Sequence, residues 1–204
     1  MRIRKKKHTD ERIQACADYM KWGDMLTKNN SVHMEVGCGK GDFICEMAQK
    51  FPEINFIAVE KVPDVIVAAM EKAKNLNLSN VRFVIANIKE FANYIEGDKI
   101  SVIYLNFSDP WPKRYHQTHR LTDISCLNFY KRFLKSGSEI ILKTDDKDFF
   151  DFSVKSLSSN GFKIKNMTYD LYNSEFIGGN VQTEYEKNFV GQNMPICYFS
   201  AVLI

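Results

Sequence analysis

Val32-His33-Met34-Glu35-Val36-Gly37-Cys38-Gly39-Lys40-Gly41-Asp42 changes character at Gly37. Residues 32–36 have the length and β-branched content of a strand. Three glycines then alternate through residues 37–41, and a helical stretch follows up to Phe51. Glycines in such a loop permit positive φ and let a ligand approach the backbone. The next apolar run, Ile54 to Glu60, predicts a second strand that ends on an acid. A carboxylate in that place can accept both hydroxyls of an adenosine ribose. Strand, glycine loop, helix and acid-tipped strand together predict a nucleoside-binding α/β fold.

Strands and helices alternate outward from this unit. Helix is predicted over 10–27, with Ile13, Cys16, Ala17, Met20 and Met25 near one face and Thr9 or Asp10 as cap. A helix over 63–76 is opened by Pro63, a residue favoured in the first turn. Strand 81–85 ends at Ala86-Asn87, and a short helix near 88–95 leads to strand 100–106. Helix 122–134, strand 139–144 and helix 147–159 follow, then strands 162–169 and 196–202. Such alternation predicts a mostly parallel seven-stranded sheet with helices on both faces. The last two strands show no helical pattern between them and are expected to add an antiparallel element at one edge. One domain over 1–204 is expected, with residues 1–9 as a flexible basic tail.

The second informative stretch is Asn106-Phe107-Ser108-Asp109-Pro110-Trp111-Pro112-Lys113. Pro110 and Pro112 lack backbone donors and stop the preceding strand. They are expected to hold Asp109 and Trp111 in extended geometry. A carboxylate, an indole and a cation therefore sit on a stiff turn at the carboxyl end of a strand, where open α/β sheets bind ligands. Trp111 suits either a core position or base stacking.

Of the 204 residues, 45% are hydrophobic, enough for one sizeable core. The net charge of +3 is unevenly spread. Arg2, Arg4, Lys5, Lys6, Lys7 and His8 cluster at the start, and Lys113, Arg114, His116, His119 and Arg120 follow the proline turn. Both clusters suit a polyanionic partner, while the first also suits a solvated tail. The five cysteines have no CxxC or zinc-ligand spacing, so reduced thiols of a cytoplasmic protein and no metal are expected. No apolar run approaches the ~20 residues of a membrane span.

The glycine spacing separates cofactors. Dinucleotide sites usually read GxGxxG, whereas this loop is GxGxG with Glu35 just before it. That carboxylate would repel a pyrophosphate and attract the ammonium or sulfonium of S-adenosylmethionine. Asn87 could read an adenine edge with its amide. A nicotinamide oxidoreductase therefore fits less well. An adenine amino-methyltransferase would carry an Asp/Asn-Pro-Pro-aromatic turn, and here the aromatic is displaced by one residue. A non-catalytic RNA binder would leave the acids around the loop unexplained.

The sequence resembles the Rossmann-like class I methyltransferases, and within them the bacterial tRNA (guanine-N7-)-methyltransferases. The match rests on residues 35–41, Glu60, Ala86-Asn87, Asp109 to Lys113, His116, Arg120-Leu121, Lys143 to Asp145 and Thr183-Glu184-Tyr185-Glu186. The resemblance implies Glu35, Gly37, Gly39, Gly41, Glu60, Asn87 and Asp109 as contacts of S-adenosylmethionine, with S-adenosylhomocysteine as product. It implies Lys113, Asp145, Thr183, Glu184, Tyr185 and Glu186 as substrate contacts. Residues Tyr115, His116, Gln117, Thr118, His119 and Arg120 are implied RNA contacts, and the target implied is guanosine 46 of the tRNA variable loop. Either a monomer or a homodimer fits the family. This chain departs from the family's more basic run after Lys113, and Tyr115 can offset the missing charge by stacking.

Guanine N7 carries an in-plane lone pair and no proton, so direct in-line methyl transfer needs alignment rather than a base. Positive charge moves onto the guanine ring, and a preorganised carboxylate stabilises it. Asp109 and Asp145 are the candidates. Asp145 could accept from guanine N1–H and the exocyclic amine, or could instead cap the helix that starts near 147.

Overall fold

The computed structural model describes residues 8–26, 31–95, 97, 99–192 and 194–204. The basic residues Arg2 to Lys7 of the expected tail lie outside them. Seven strands, β1 (Val32–Val36), β2 (Asn55–Glu60), β3 (Val81–Ile85), β4 (Ile100–Asn106), β5 (Leu134–Thr144), β6 (Phe162–Thr168) and β7 (Cys197–Leu203), form one sheet. Their order is β3-β2-β1-β4-β5-β7-β6. β1 to β5 pair in parallel, while β7 runs antiparallel between β5 and β6. The mostly parallel sheet with an antiparallel edge is therefore as the alternation predicts.

Seven helices, α1 (Thr9–Gln14), α2 (Asp42–Lys50), α3 (Pro63–Asn75), α4 (Ile88–Phe91), α5 (Ile124–Tyr130), α6 (Lys147–Ser158) and α7 (Glu184–Val190), occur among the described residues. Alternate residues of β2 feed the two cores. Phe56 and Ala58 pack with Phe43 and Ile44 of α2 and Ile66 and Met70 of α3. Ile57 and Val59 belong to the opposite core, with Leu127, Phe149 and Leu157. Burial on both faces explains the unbroken apolar run of β2. The chain moves outward from β1 to β3 and then returns to β4 on the other flank. That reversal opens a crevice beyond the carboxyl ends of β1 and β4. All five cysteines are free and buried.

Four local expectations change. The stretch 10–27 is not one helix: α1 is followed by 3-10 turns at Ala17–Met20 and Trp22–Met25. Cys16 packs in one core and Met25 in the other, so a straight helix could not bury both. Ordered structure also starts before the expected limit of the tail, because Thr9 is 1% exposed and its hydroxyl donates to Asp64. The helix predicted to 134 ends at Tyr130, because Leu134 already pairs with Ile100 as the start of β5. Finally, α7 lies between the last two strands, where no helix is predicted. Its signal was a capping box: Thr183 Oγ1 accepts from Glu186 N–H, and the Glu186 carboxylate accepts from Thr183 N–H.

Candidate active site at the carboxyl ends of the strands

The glycine loop turns back on β2. Gly37 and Cys38 both donate their N–H to the Val59 carbonyl, at 2.7 and 3.2 Å. A Cβ on Gly37 or Gly39 would meet nothing within 4 Å, so space remains there for a ligand. Gly41 differs: its Cβ would lie 2.5 Å from that of Ala69. Its glycine is required by the close seating of α2 on α3.

Glu35 stands behind this loop and is 2% exposed. Its Oε1 accepts from Asn106 Nδ2 at 2.9 Å, and its Oε2 is buried without a partner. Burial pushes the carboxyl up to about 7, opposed by the Asn106 bond and the Lys143 charge, and aided by nearby Glu60. An orphaned carboxylate oxygen of this kind is an acceptor for a cationic group. Half-buried Glu60 uses Oε1 to accept from Val62 N–H at 3.0 Å. Asn87 caps α4, with Oδ1 accepting from Lys89 N–H, so its NH2 is the half left for a ligand.

The proline turn departs from the expected extended geometry. Trp111 has φ of 44° and Phe107 has φ of 50°, both in the left-handed region. Bulky residues occupy that region only when their surroundings over-determine it. For Trp111 the cause is Arg120, which donates from Nε to the Pro110 carbonyl at 2.8 Å and from Nη2 to that of Trp111 at 3.3 Å. The Arg120 guanidinium also lies 4.3 Å from the Phe152 ring centroid. Arg120, expected as an RNA contact, is thus buried and braces the turn. Half-buried Trp111 packs on His116 and His119, with centroids 5.5 and 5.0 Å away. Asp109, Lys113, Tyr115, Thr118 and His119 are exposed, while His116 and Gln117 are half-buried.

At the end of β5, Asp146 rather than Asp145 caps α6, accepting from Phe149 N–H at 2.7 Å. Asp145 is exposed and left to the crevice. Lys143, two residues earlier, is 3% exposed and pairs at 2.6 Å with fully buried Glu186. It also donates to Asn180 Oδ1 and the Val181 carbonyl. Glu186 Oε1 accepts from Tyr172 Oη at 2.9 Å and from Asn180 Nδ2 at 2.6 Å. Of the four residues of the 183–186 segment expected to meet substrate, Thr183 and Glu186 therefore face inward as anchors of α7. Glu184 bonds Lys40 of the glycine loop at 2.7 Å, and Tyr185 is 62% exposed.

Sequence reasoning missed Asn106 and Lys143 as site residues. Their signals were a polar residue ending an apolar strand and a lysine inside one. Among the described residues no cluster of His, Cys, Asp or Glu could hold a metal, and no helix is long and apolar enough to cross a membrane. Two cavities, of about 290 and 380 Å³, lie elsewhere, one lined by Tyr19, Leu78 and Arg82 and the other by Arg12, Glu71 and Lys74.

A family model described as "Putative methyltransferase" matches residues 29–198. Over 198 residues the chain is 40% identical to the tRNA (guanine-N(7)-)-methyltransferase of Geobacillus thermodenitrificans (strain NG80-2), covering 93% of this chain and 91% of the relative. Over 218 residues it is 38% identical to the enzyme of the same name from Clostridium botulinum (strain Okra / Type B1), covering 100% of both. An antibiotic-related methyltransferase of known structure shares the fold, with a TM-score of 0.63 at 20% identity over 89% of this chain and 91% of that one.

Proposed function

The chain belongs to the bacterial tRNA (guanine-N7-)-methyltransferase family, and from that premise we propose that it methylates N7 of a guanine in tRNA with S-adenosylmethionine as donor. The observation that carries the donor assignment is the buried, orphaned Oε2 of Glu35 beside an open glycine loop. When bound, S-adenosylmethionine supplies an electrophilic methyl group on a cationic sulfur.

The chain's residues bind and orient. Glu35 balances positive charge on the donor, with Asn106 holding the carboxylate in place. Glu60 accepts from the ribose hydroxyls, and the Asn87 NH2 donates to the adenine edge. Gly37 and Gly39 leave the backbone open to the donor, with Gly41 setting the helix behind them. Asp109 borders the donor side, and Asp145 accepts from guanine N1–H and the exocyclic amine. No residue needs to remove a proton from N7, so alignment supplies much of the rate. Lys113 and the segment from Tyr115 to His119 meet the RNA backbone. The guanine is, by family resemblance, guanosine 46, and the place of action is the cytoplasm.

The direct test is incubation with unmodified tRNA and methyl-labelled donor, followed by nucleoside analysis. Label in N7-methylguanosine is expected. Label in a methylated adenine, or none, rejects the reading.

Donor affinity should also depend on pH. In the free protein the Glu35 carboxyl is raised to about 7, so lowering the pH through that value protonates it. A cation needs the ionised form, so affinity rises with pH and levels off above about 7. For one linked proton the slope below that point is about tenfold per pH unit. Calorimetry from about pH 5.5 to about pH 8.5 should show this slope in the wild type and its loss in Glu35→Gln. A flat wild-type profile would remove Glu35 from the donor site.

A further inference from the structure

Two successive carbonyls of the proline turn face the same buried cation. Arg120 takes the Pro110 carbonyl through Nε and the Trp111 carbonyl through Nη2. Along an extended chain successive carbonyls alternate in direction, and the left-handed φ of 44° at Trp111 brings this pair to one side. The guanidinium is itself seated on α6, 4.3 Å from the Phe152 ring centroid and 5.7 Å from that of Phe149. The chain just after it is stapled to the same helix. Thr122 Oγ1 and Ser153 Oγ share a hydrogen bond of 2.8 Å, and Ser156 Oγ donates to the Thr122 carbonyl at 2.6 Å.

This seat fixes a further group. A trans peptide points its N–H opposite to its C=O. The Pro110–Trp111 peptide is trans, so its N–H, that of Trp111, is aimed away from Arg120 toward the open side of the turn. Among the described residues no protein group accepts from it. Asp109 and Lys113, on either side, are exposed. The turn therefore offers the crevice a fixed donor, and neither of its two inward carbonyls is left to accept from an amine.

The purine edge that carries N7 tells the bases apart by one neighbouring group. Guanine has O6 there, an acceptor, and adenine has an amine, a donor. We propose that the Trp111 N–H, aimed by Arg120, donates to O6 of the guanine to be methylated and so selects guanine over adenine. This rests on the tRNA reading and names a specificity determinant on the N7 edge, apart from Asp145 on the opposite edge. The bond also turns the N7 lone pair toward the donor methyl group. An adenine in the same place would set its amine protons against the Trp111 N–H, donor against donor. Arg120 acts as the positioning residue and does not touch the RNA.

The test replaces the guanine that the chain methylates, within an otherwise unmodified tRNA, by 2-aminopurine, which lacks O6. Single-turnover rates at saturating tRNA and donor are divided by the reactivity of each free nucleoside at N7 toward a chemical methylating agent. The wild type should methylate guanine roughly tenfold or more faster than 2-aminopurine, the scale for one unmade hydrogen bond in a site built for it. In Arg120→Met the turn is released. The guanine rate should fall roughly tenfold while the 2-aminopurine rate stays within about threefold of wild type. The analogue also lacks N1–H, but that loss is common to both enzymes and cancels when their ratios are compared. Arg120→Lys keeps the charge without the fork and should fall between them; it replaces Arg120→Met if that variant does not fold. Equal normalised rates for the two bases in the wild type would overturn the proposal, and that comparison needs no variant. So would a base ratio unchanged by either substitution, which places the reader of O6 elsewhere. The salt slope of tRNA affinity should be the same in Arg120→Met and wild type. A slope reduced by about one would put Arg120 on a phosphate and overturn its positioning role. If the unaltered chain makes no N7-methylguanosine, the tRNA reading fails first, independently of these comparisons.

Discussion

Lys143→Met is expected to destabilise the folded chain by ~3–5 kcal/mol, the scale for removing one partner of a buried ion pair. Such a loss is a large part of the roughly 5–15 kcal/mol that holds a typical domain together. Lys143 is 3% exposed and Glu186 0%, so no water replaces the lost cation. Glu186 would keep its bonds from Tyr172, Asn180 and Thr183 but hold an unbalanced charge. Adding Glu186→Gln removes that charge while keeping an acceptor for the α7 cap. The double variant should recover most of the loss, and urea unfolding of the four proteins in the cycle measures it. A further effect is expected on the donor side. The Lys143 charge holds the Glu35 carboxyl lower than burial alone would, so in Lys143→Met the pH at which donor affinity levels off should move upward. If Lys143→Met unfolds at the wild-type urea midpoint, the pair does not anchor α7.

Asp145→Asn is expected to lower the methyl-transfer rate by ~100-fold or more, the scale for losing one preorganised electrostatic group. The substitution keeps size and one acceptor but removes the charge that would face the developing cation. The structure makes it a clean test, because the cap of α6 belongs to Asp146. Folding and thermal stability should therefore be unchanged, and donor binding nearly so. Single-turnover rates at saturating tRNA and donor give the comparison. A wild-type rate in the folded variant would leave Asp145 as an exposed loop acid with no part in the chemistry.

The seven strands and their carboxyl-end crevice were legible because their signals are local. Period and β-branched content marked β1 to β4, glycines marked the first turn, and the prolines at 110 and 112 marked the end of β4. Glu35, Glu60, Asn87, Asp109 and Asp145 could be named from the chain because each occupies a strand end or the turn just after it. The broken helix after Thr9 was not legible. Its apolar residues fit one helical face, yet they belong to two cores on opposite sides of the sheet.

What the tertiary structure alone decided is the partner of each buried charge. Glu35 meets Asn106 across 71 residues of chain, and Lys143 meets Glu186 across 43. Those pairings turned Glu186 from an expected substrate contact into an anchor and made Lys143 a central residue. Arg120, read as an RNA contact, became the brace that holds Trp111 in a conformation its following proline disfavours. Periodicity and turn chemistry act over a few residues, so one chain segment carries them. The cost of burying a charge depends on which distant group the fold brings beside it, and only the packed structure determines that.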